Sequence, residues 1–208
     1  MSATAAAVTG ASLGLTLIVA IGSQNAFVLR QGLRREHVGP IVLFCAVADA
    51  LLMLAGVAGL AQVLGNRPWL AAGLTLGGAA FLAIYGVRAL WRCARPSALL
   101  AAQGTDGITL RQALLQTAAF TLLNPHVYLD TVLLVGSVGA QWGEARWWFA
   151  AGAASASVVW FTALGFGARW LAPWFARPRA WQVLDGLIGV VMLGIAALLV
   201  RRLITGGP

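Results

Sequence analysis

The chain has no lysine, six acidic residues, two cysteines and two histidines among its 208 residues, and each scarcity excludes something. Cys45 and Cys93 lie far apart and form no CxxC pair, and only His37 and His126 are present to join them. Neither a thiol–disulfide carrier nor a Cys/His metal site is supported, so no cofactor and no metal are expected. Charged residues make up only 10% of the chain, against 60% hydrophobic residues and a mean hydropathy of +0.85. A soluble domain of this length cannot hide that much apolar surface, whereas several membrane-spanning helices account for it. The net charge of +8 therefore comes from arginine alone. In a soluble protein it would suggest a nucleic-acid partner. Here the arginines fall in short connections between apolar runs, where they set orientation in a lipid bilayer, and no nucleic acid is expected.

Six apolar runs are present, at residues 6–29, 38–64, 69–91, 113–140, 145–171 and 181–200. At about 1.5 Å per residue, each can cross a hydrocarbon core about 30 Å thick. The predicted fold is all-α, a polytopic membrane protein with six transmembrane helices in one domain over residues 1–208. The longest connection, 92–112, carries Pro96, Ser97, Gly104 and Gly107 and is the one linker. The first run lacks a basic amino-terminal region and stays apolar to Leu29, so it reads as a retained helix and not a cleaved signal. Trp69, Trp91, Trp142, Trp147, Trp148, Trp174 and Trp181 sit at run ends as interfacial anchors, with Trp160 the exception. Arg30, Arg34, Arg35, Arg88, Arg92, Arg95, Arg111, Arg169, Arg177 and Arg179 fall on one side. Only Arg67, Arg146, Arg201 and Arg202 fall on the other. The positive-inside rule makes the richer side cytoplasmic and puts both termini outside.

The chain also reads as a duplication. Gly22-Ser23 interrupts the first run much as Asn124-Pro125 interrupts the fourth. Gly56-Val57-Ala58-Gly59 is matched by Gly165-Phe166-Gly167, a register that sets Asp49 opposite Ser157. Two three-helix halves, about 6–91 and 113–200, joined by a cytoplasmic loop over 92–112, would insert with opposite polarity. Such an inverted repeat with broken helices is common in secondary transporters.

Asp49 lies in the second run and Asp130 in the fourth. An ionised carboxylate at the centre of a spanning helix costs about 2.5–3.5 kcal/mol even on the gentlest scale, so such residues usually line a pathway or bind something. Asp49 is about 16 Å from the start of its run, near the midplane. No arginine falls at that depth, since Arg88 and Arg169 lie near run ends where they can snorkel. An unpaired carboxylate there is protonated or awaits a cation. Asp185, one turn into the sixth run, is shallower and reads as structural.

In the fourth run, Pro125 has no amide hydrogen and frees carbonyls near mid-membrane, some of which Asn124 can satisfy. Thr117, Thr121, Asn124, Tyr128 and Thr131 share one helical face, which must look inward, toward other helices or a cavity. The plainer reading is polar glue within a bundle. Asp130 need not share that face. In the first run, Gln24 and Asn25 follow Gly22-Ser23; they either complete a central site or mark the cytoplasmic end of the span. Gly10–Gly14 and Gly73–Gly77 have GxxxG spacing and read as internal packing, with a homodimer left open. Ser155 and Ser157 have no histidine or lysine placed to activate them, so no enzyme is expected. A passive channel would need a continuous wet pore that so few polar residues do not supply.

Over nearly its whole length the chain resembles the LysE/ArgO family of bacterial amino-acid exporters. The resemblance is carried by residues 10–14, 21–32, Ala48-Asp49, 123–130, 136–141 and 165–167. The chain departs from the family at Ser23, where proline is frequent. The resemblance implies export of L-arginine, L-lysine or a similar basic L-amino acid across the bacterial cytoplasmic membrane, driven by the proton motive force. It also points to Asp49, Asp130, Asn124 and Pro125 as functional positions. Tyr128, Gln24 and Asn25 are candidates for holding the amino-acid carboxylate or amine. Two acids in a low-dielectric cavity suit a cationic substrate. Moving one positive charge out of a negative interior costs about 2.3 kcal/mol per 100 mV, and an inward-moving proton cancels that penalty. Related exporters of neutral amino acids or other small amines share the architecture and are the alternative.

Overall fold

Runs of alanine, leucine and valine broken by few prolines favour long helices, and in lipid a helix satisfies every backbone group internally. The computed structural model describes residues 2–19, 22–60, 68–94, 107–124, 127–171, 173–174 and 178–205. Among the described residues all regular structure is helical. In chain order these are α1 (Ala3–Val19), α2 (Ser23–Arg34), α3 (Val38–Ala55), α4 (Pro68–Ala94), α5 (Leu110–Leu122), α6 (Val135–Ala140), α7 (Arg146–Leu171) and α8 (Pro178–Thr205). A wide turn, Gly56–Leu60, follows α3 and is kinked at Gly59, where φ is +106°, and a π-helical segment, Tyr128–Leu134, leads into α6. Helix α5 opens with a reciprocal capping box: Gln112 N donates to Thr109 Oγ1 at 3.2 Å and Thr109 N donates to Gln112 Oε1 at 3.0 Å.

Among the described residues, three helices are long and apolar enough to cross a membrane: Val38–Leu60, Gly143–Leu171 and Arg179–Arg201. Helices α1 and α2 make a fourth when taken as one span bent by 78°. The first and fourth apolar runs are thus not continuous rods. Each is divided at the interruption its sequence carries, and residues 135–140 of the fourth run form only a short helix. The third run corresponds to α4, with 27 residues. The outer surface suits lipid: Leu43, Leu51, Val159, Val183 and Val190 are each more than 60% exposed. Trp181, read above as an interfacial anchor, is instead buried.

Close backbone approach packs the bundle. A methyl at Gly10 would stand 2.0 Å from the Phe149 carbonyl oxygen, and one at Gly152 the same distance from that of Ala7, so α1 and α7 touch backbone to backbone. Gly14 lies against Ala153 in the same seam. The first GxxxG pair is therefore internal packing. The second is not: Gly73 and Gly77 have nothing within 4 Å of where a methyl would go. Helices α4 and α8 pair elsewhere, through Gly86 against Met192 and Gly189 against Leu90.

The buried apolar side chains form two clusters. One contains Phe27, Cys45, Phe120, Phe161 and Met192; the other contains Ala6, Met53, Val57, Val135 and Phe149. Asp49 sits on α3 one helical turn from Cys45 in the first cluster and one turn from Met53 in the second. The polar site described next lies between them.

Candidate functional site

The break between α1 and α2 is held by side chains. Helix α1 ends at Val19 and leaves carbonyls without intrahelical partners. Asn25 Nδ2 donates to one of them, that of Ile18, at 2.6 Å. The Asn25 carbonyl oxygen accepts from Trp160 Nε1 of α7 at 3.2 Å. This explains the tryptophan that lay inside its run: its indole N–H needs a buried acceptor, and the break supplies one.

The fourth run is interrupted by a different device. Thr117 and Thr121 are fully buried and turn their hydroxyls onto the carbonyls of Ala113 and Thr117, at 2.7 and 2.9 Å. Helix α5 then stops at Leu122, and winding resumes as the π-helical segment. A π-helix takes more residues per turn than an α-helix, so positions past the break are rotated from where α-helical spacing would put them. Tyr128, at the start of this segment, does not share the polar face predicted for it. It does not line the central cavity, and its hydroxyl donates to the Leu122 carbonyl at 2.8 Å on an exposed side. Asp130 and Thr131 turn inward with Asn124 instead. Pro125, singled out from the sequence, and His126 beside it lie outside the described residues. The wide turn after α3 and the π-helical segment touch: a methyl at Gly56 would stand 2.6 Å from the Val132 carbonyl oxygen, and one at Gly136 would stand 2.7 Å from Gly56.

These elements line a partly open cavity of about 290 Å³. Its walls carry Ser23, Gln24 and Asn25 from the start of α2, Asp49 and Met53 from α3, and Asn124, Asp130 and Thr131 from the second break. Phe161 and Ile195 supply apolar wall from α7 and α8. Of the residues read as candidates, the cavity gathers Gln24, Asn25, Asp49, Asn124 and Asp130. Asp49 is 3% exposed, and its Oδ2 accepts from Ser157 Oγ of α7 at 2.8 Å. Ser157 had entered the sequence reading as the residue opposite Asp49 in the repeat and, with Ser155, as a serine without an activating base.

Asp185 has a different role. It is fully buried and accepts from both Arg30 Nη1 and Arg92, whose Nη2 lies 3.1 Å and Nε 3.3 Å from its two oxygens. The carboxylate ties α2 and α4 to α8. Arg30, which reads as a connection arginine, is buried at 6% exposure. Nearby, His37 Nε2 donates to the Ile108 carbonyl at 2.7 Å, bringing the first and third connections to one end of the molecule.

Apolar helices facing outward around a solute-sized polar cavity, flanked by two broken helices, define a membrane transporter. The chain belongs to the LysE type translocator family, whose model matches residues 15–203. It is 48% identical over 182 residues to a putative amino-acid transporter of Mycobacterium tuberculosis, covering 88% of this chain and 90% of that protein. It is 46% identical over 198 residues to the arginine exporter protein ArgO of Yersinia enterocolitica, covering 93% and 95% of the two chains. The ArgO of Pectobacterium carotovorum is 42% identical over 194 residues, with the same coverage. No solved structure matches.

Proposed function

We propose that this protein exports a basic L-amino acid, arginine or lysine, across the bacterial cytoplasmic membrane in exchange for protons. The observation that carries the reading is the charge pattern of the cavity. Asp49 and Asp130 both line it, and so does the start of helix α2. A basic amino acid brings two cations and one carboxylate, which two carboxylates and one positive helix end complement in number and sign. A neutral amino acid would leave one acid uncompensated in a site of low dielectric. Relatives named as arginine exporters, matched over more than nine-tenths of the chain, support the substrate class. Export against a negative interior needs coupling, because each positive charge costs about 2.3 kcal/mol per 100 mV. A carboxylate that gives up its cation outward can take a proton and carry it back inward.

The same reading takes the chain as six spans in two inverted halves, with the arginine-rich side cytoplasmic and both termini outside. Two features support it. Both broken segments flank the one cavity, and the residues that the faint repeat superposes, Asp49 and Ser157, are hydrogen-bonded to each other. Residues related by a twofold axis in the membrane plane can meet only close to that axis.

The test is efflux of labelled L-arginine from preloaded proteoliposomes under an imposed pH gradient. Wild-type protein is expected to release arginine faster with the gradient than without it, and Asp49→Asn is expected to lose that acceleration. Gradient-independent release, or full activity in the variant, would overturn the coupled mechanism. Release of neutral amino acids but not arginine would transfer the protein to the alternative substrate class.

A further inference from the structure

The break between α1 and α2 presents an uncapped helix start to the cavity. Gly22 is extended, with φ −119° and ψ 175°, and no side chain caps α2. The first backbone bond of the helix runs from Ala26 N to the Gly22 carbonyl, so the amides of Ser23 and Gln24 have no acceptor within the helix. Two buried side-chain atoms beside them lack an oxygen or nitrogen acceptor: Ser23 Oγ, in a residue 0% exposed, and Gln24 Nε2, in a residue 9% exposed, which faces only the weakly accepting sulfur of Cys45. Both residues line the cavity. Buried polar groups are nearly always paired, so an unpaired hydroxyl and an amide held only by a thiol, on one wall, call for an acceptor from outside the chain. Donors at the positive end of a helix dipole select an anionic oxygen. Asp49 and Asp130 in the same cavity would repel a free anion, so the anionic group must arrive joined to cations.

We infer that the start of α2, through Ser23 Oγ, Gln24 Nε2 and the uncapped amides, is the subsite for the α-carboxylate of the transported amino acid. This rests on the reading of the cavity as an amino-acid site and adds the direction in which the substrate lies. Its carboxylate faces Ser23 and Gln24, and its cationic groups face the two aspartates. Asn25 does not share the role, because its side chain is committed to Ile18 and Trp160 and fixes the angle of the break. A carboxylate between these donors also bridges the broken helix to the rest of the cavity wall, so substrate binding and the geometry of the break are linked.

The experiment compares binding of labelled L-arginine and of agmatine, its decarboxylated counterpart, to the full chain in lipid nanodiscs. The wild type is expected to prefer arginine by about tenfold or more. Ser23→Ala combined with Gln24→Leu should weaken arginine about tenfold to a hundredfold and leave agmatine within about threefold. Gln24→Glu adds a carboxylate where the substrate's own would sit. It should reverse the preference by tightening agmatine, a gain that a misfolded protein cannot produce. Equal losses for both ligands, or an unchanged ratio in Gln24→Glu, would overturn the subsite. If the wild type binds a neutral amino acid and not arginine, the basic-substrate reading falls by itself. The subsite is then judged by the same ratio, measured with that amino acid and its decarboxylated amine. Binding of no amino acid at all overturns both.

Discussion

Asp49 and Ser157 stand 108 positions apart, and a hydrogen bond of 2.8 Å joins them in the interior. A buried carboxylate that loses a hydroxyl donor is left under-satisfied, and bonds to charged groups are worth about 1.5–3 kcal/mol. Ser157 also holds the Asp49 carboxylate in one orientation beside the cavity. Ser157→Ala is therefore expected to raise the half-saturating arginine concentration for efflux about five- to thirtyfold, a loss of about 1–2 kcal/mol. Ser155 is the matched control. It is exposed, its hydroxyl donates to the Ala151 carbonyl of its own helix, and Ser155→Ala should leave efflux unchanged. Each serine lies in the same apolar run without a base beside it, and only the register of the repeat, which set Ser157 opposite Asp49, told them apart. Which one meets a carboxylate depends on how α7 is rotated against α3, and hydropathy carries no information about that.

Helices α1 and α4 pose the same question for elements. Each carries a GxxxG spacing, and sequence treats the two alike. In α1 the glycines are filled by the backbone of α7; in α4 they face open space. Substitution should separate them. Gly10→Ala or Gly152→Ala drives a methyl against a carbonyl oxygen, and the helices must part along the whole seam. Either variant is expected to lower the midpoint of thermal unfolding in detergent sharply, at a cost of about 1–3 kcal/mol or more. Gly73→Ala and Gly77→Ala replace a poor helix former in uncrowded surroundings and should be neutral or stabilise by up to about 1 kcal/mol. The two breaks follow a similar logic. Both were visible locally, as Gly22-Ser23 and Asn124-Pro125, because glycine and proline punctuate helices through their own backbones. The rotation that follows the second break was not visible. Once α5 stops at Leu122, α-helical spacing no longer fixes the direction of later side chains, so it assigned Tyr128 to the wrong face and left Asp130 undecided.

At the scale of the whole molecule, Asp185 draws Arg30 and Arg92 together and so joins three helices that are distant in sequence. The cluster has two cations and one anion, and the anion is wholly enclosed. Asp185→Asn would leave two buried or half-buried guanidinium groups facing each other without compensation. Breaking a buried pair in this way typically costs about 3–5 kcal/mol. Arg92→Gln should cost distinctly less, since Arg92 is the more exposed arginine and Arg30 would still balance the carboxylate. Thermal unfolding of the two variants side by side tests that order, and equal stability of Asp185→Asn and wild type would count against the cluster as a tie between helices. The sequence reading tied Asp185 to a favourable helix end and did not find the two arginines it pairs with. Arg30 read as one more loop arginine, because its partner lies 155 positions away.

Local properties were sufficient for the class of the protein. Apolar runs of spanning length, scarce charge, arginine gathered at run ends and connections, and two acids within otherwise apolar runs are each readable along the chain, because each expresses the cost of putting a polar group in lipid. The family resemblance rested on motifs of the same local kind, at the first break and around Asn124 to Asp130. Tertiary structure decided which of these polar groups meet. It brought Asp49 and Asp130 to one cavity, gave Asp49 its serine, committed Asn25 to bracing a break, and left the Ser23 hydroxyl without a partner and the Gln24 amide with only a thiol. The physical reason is that burial in lipid is paid residue by residue, whereas pairing depends on helix rotation, close glycine contacts and a change of helical pitch that only the assembled bundle fixes.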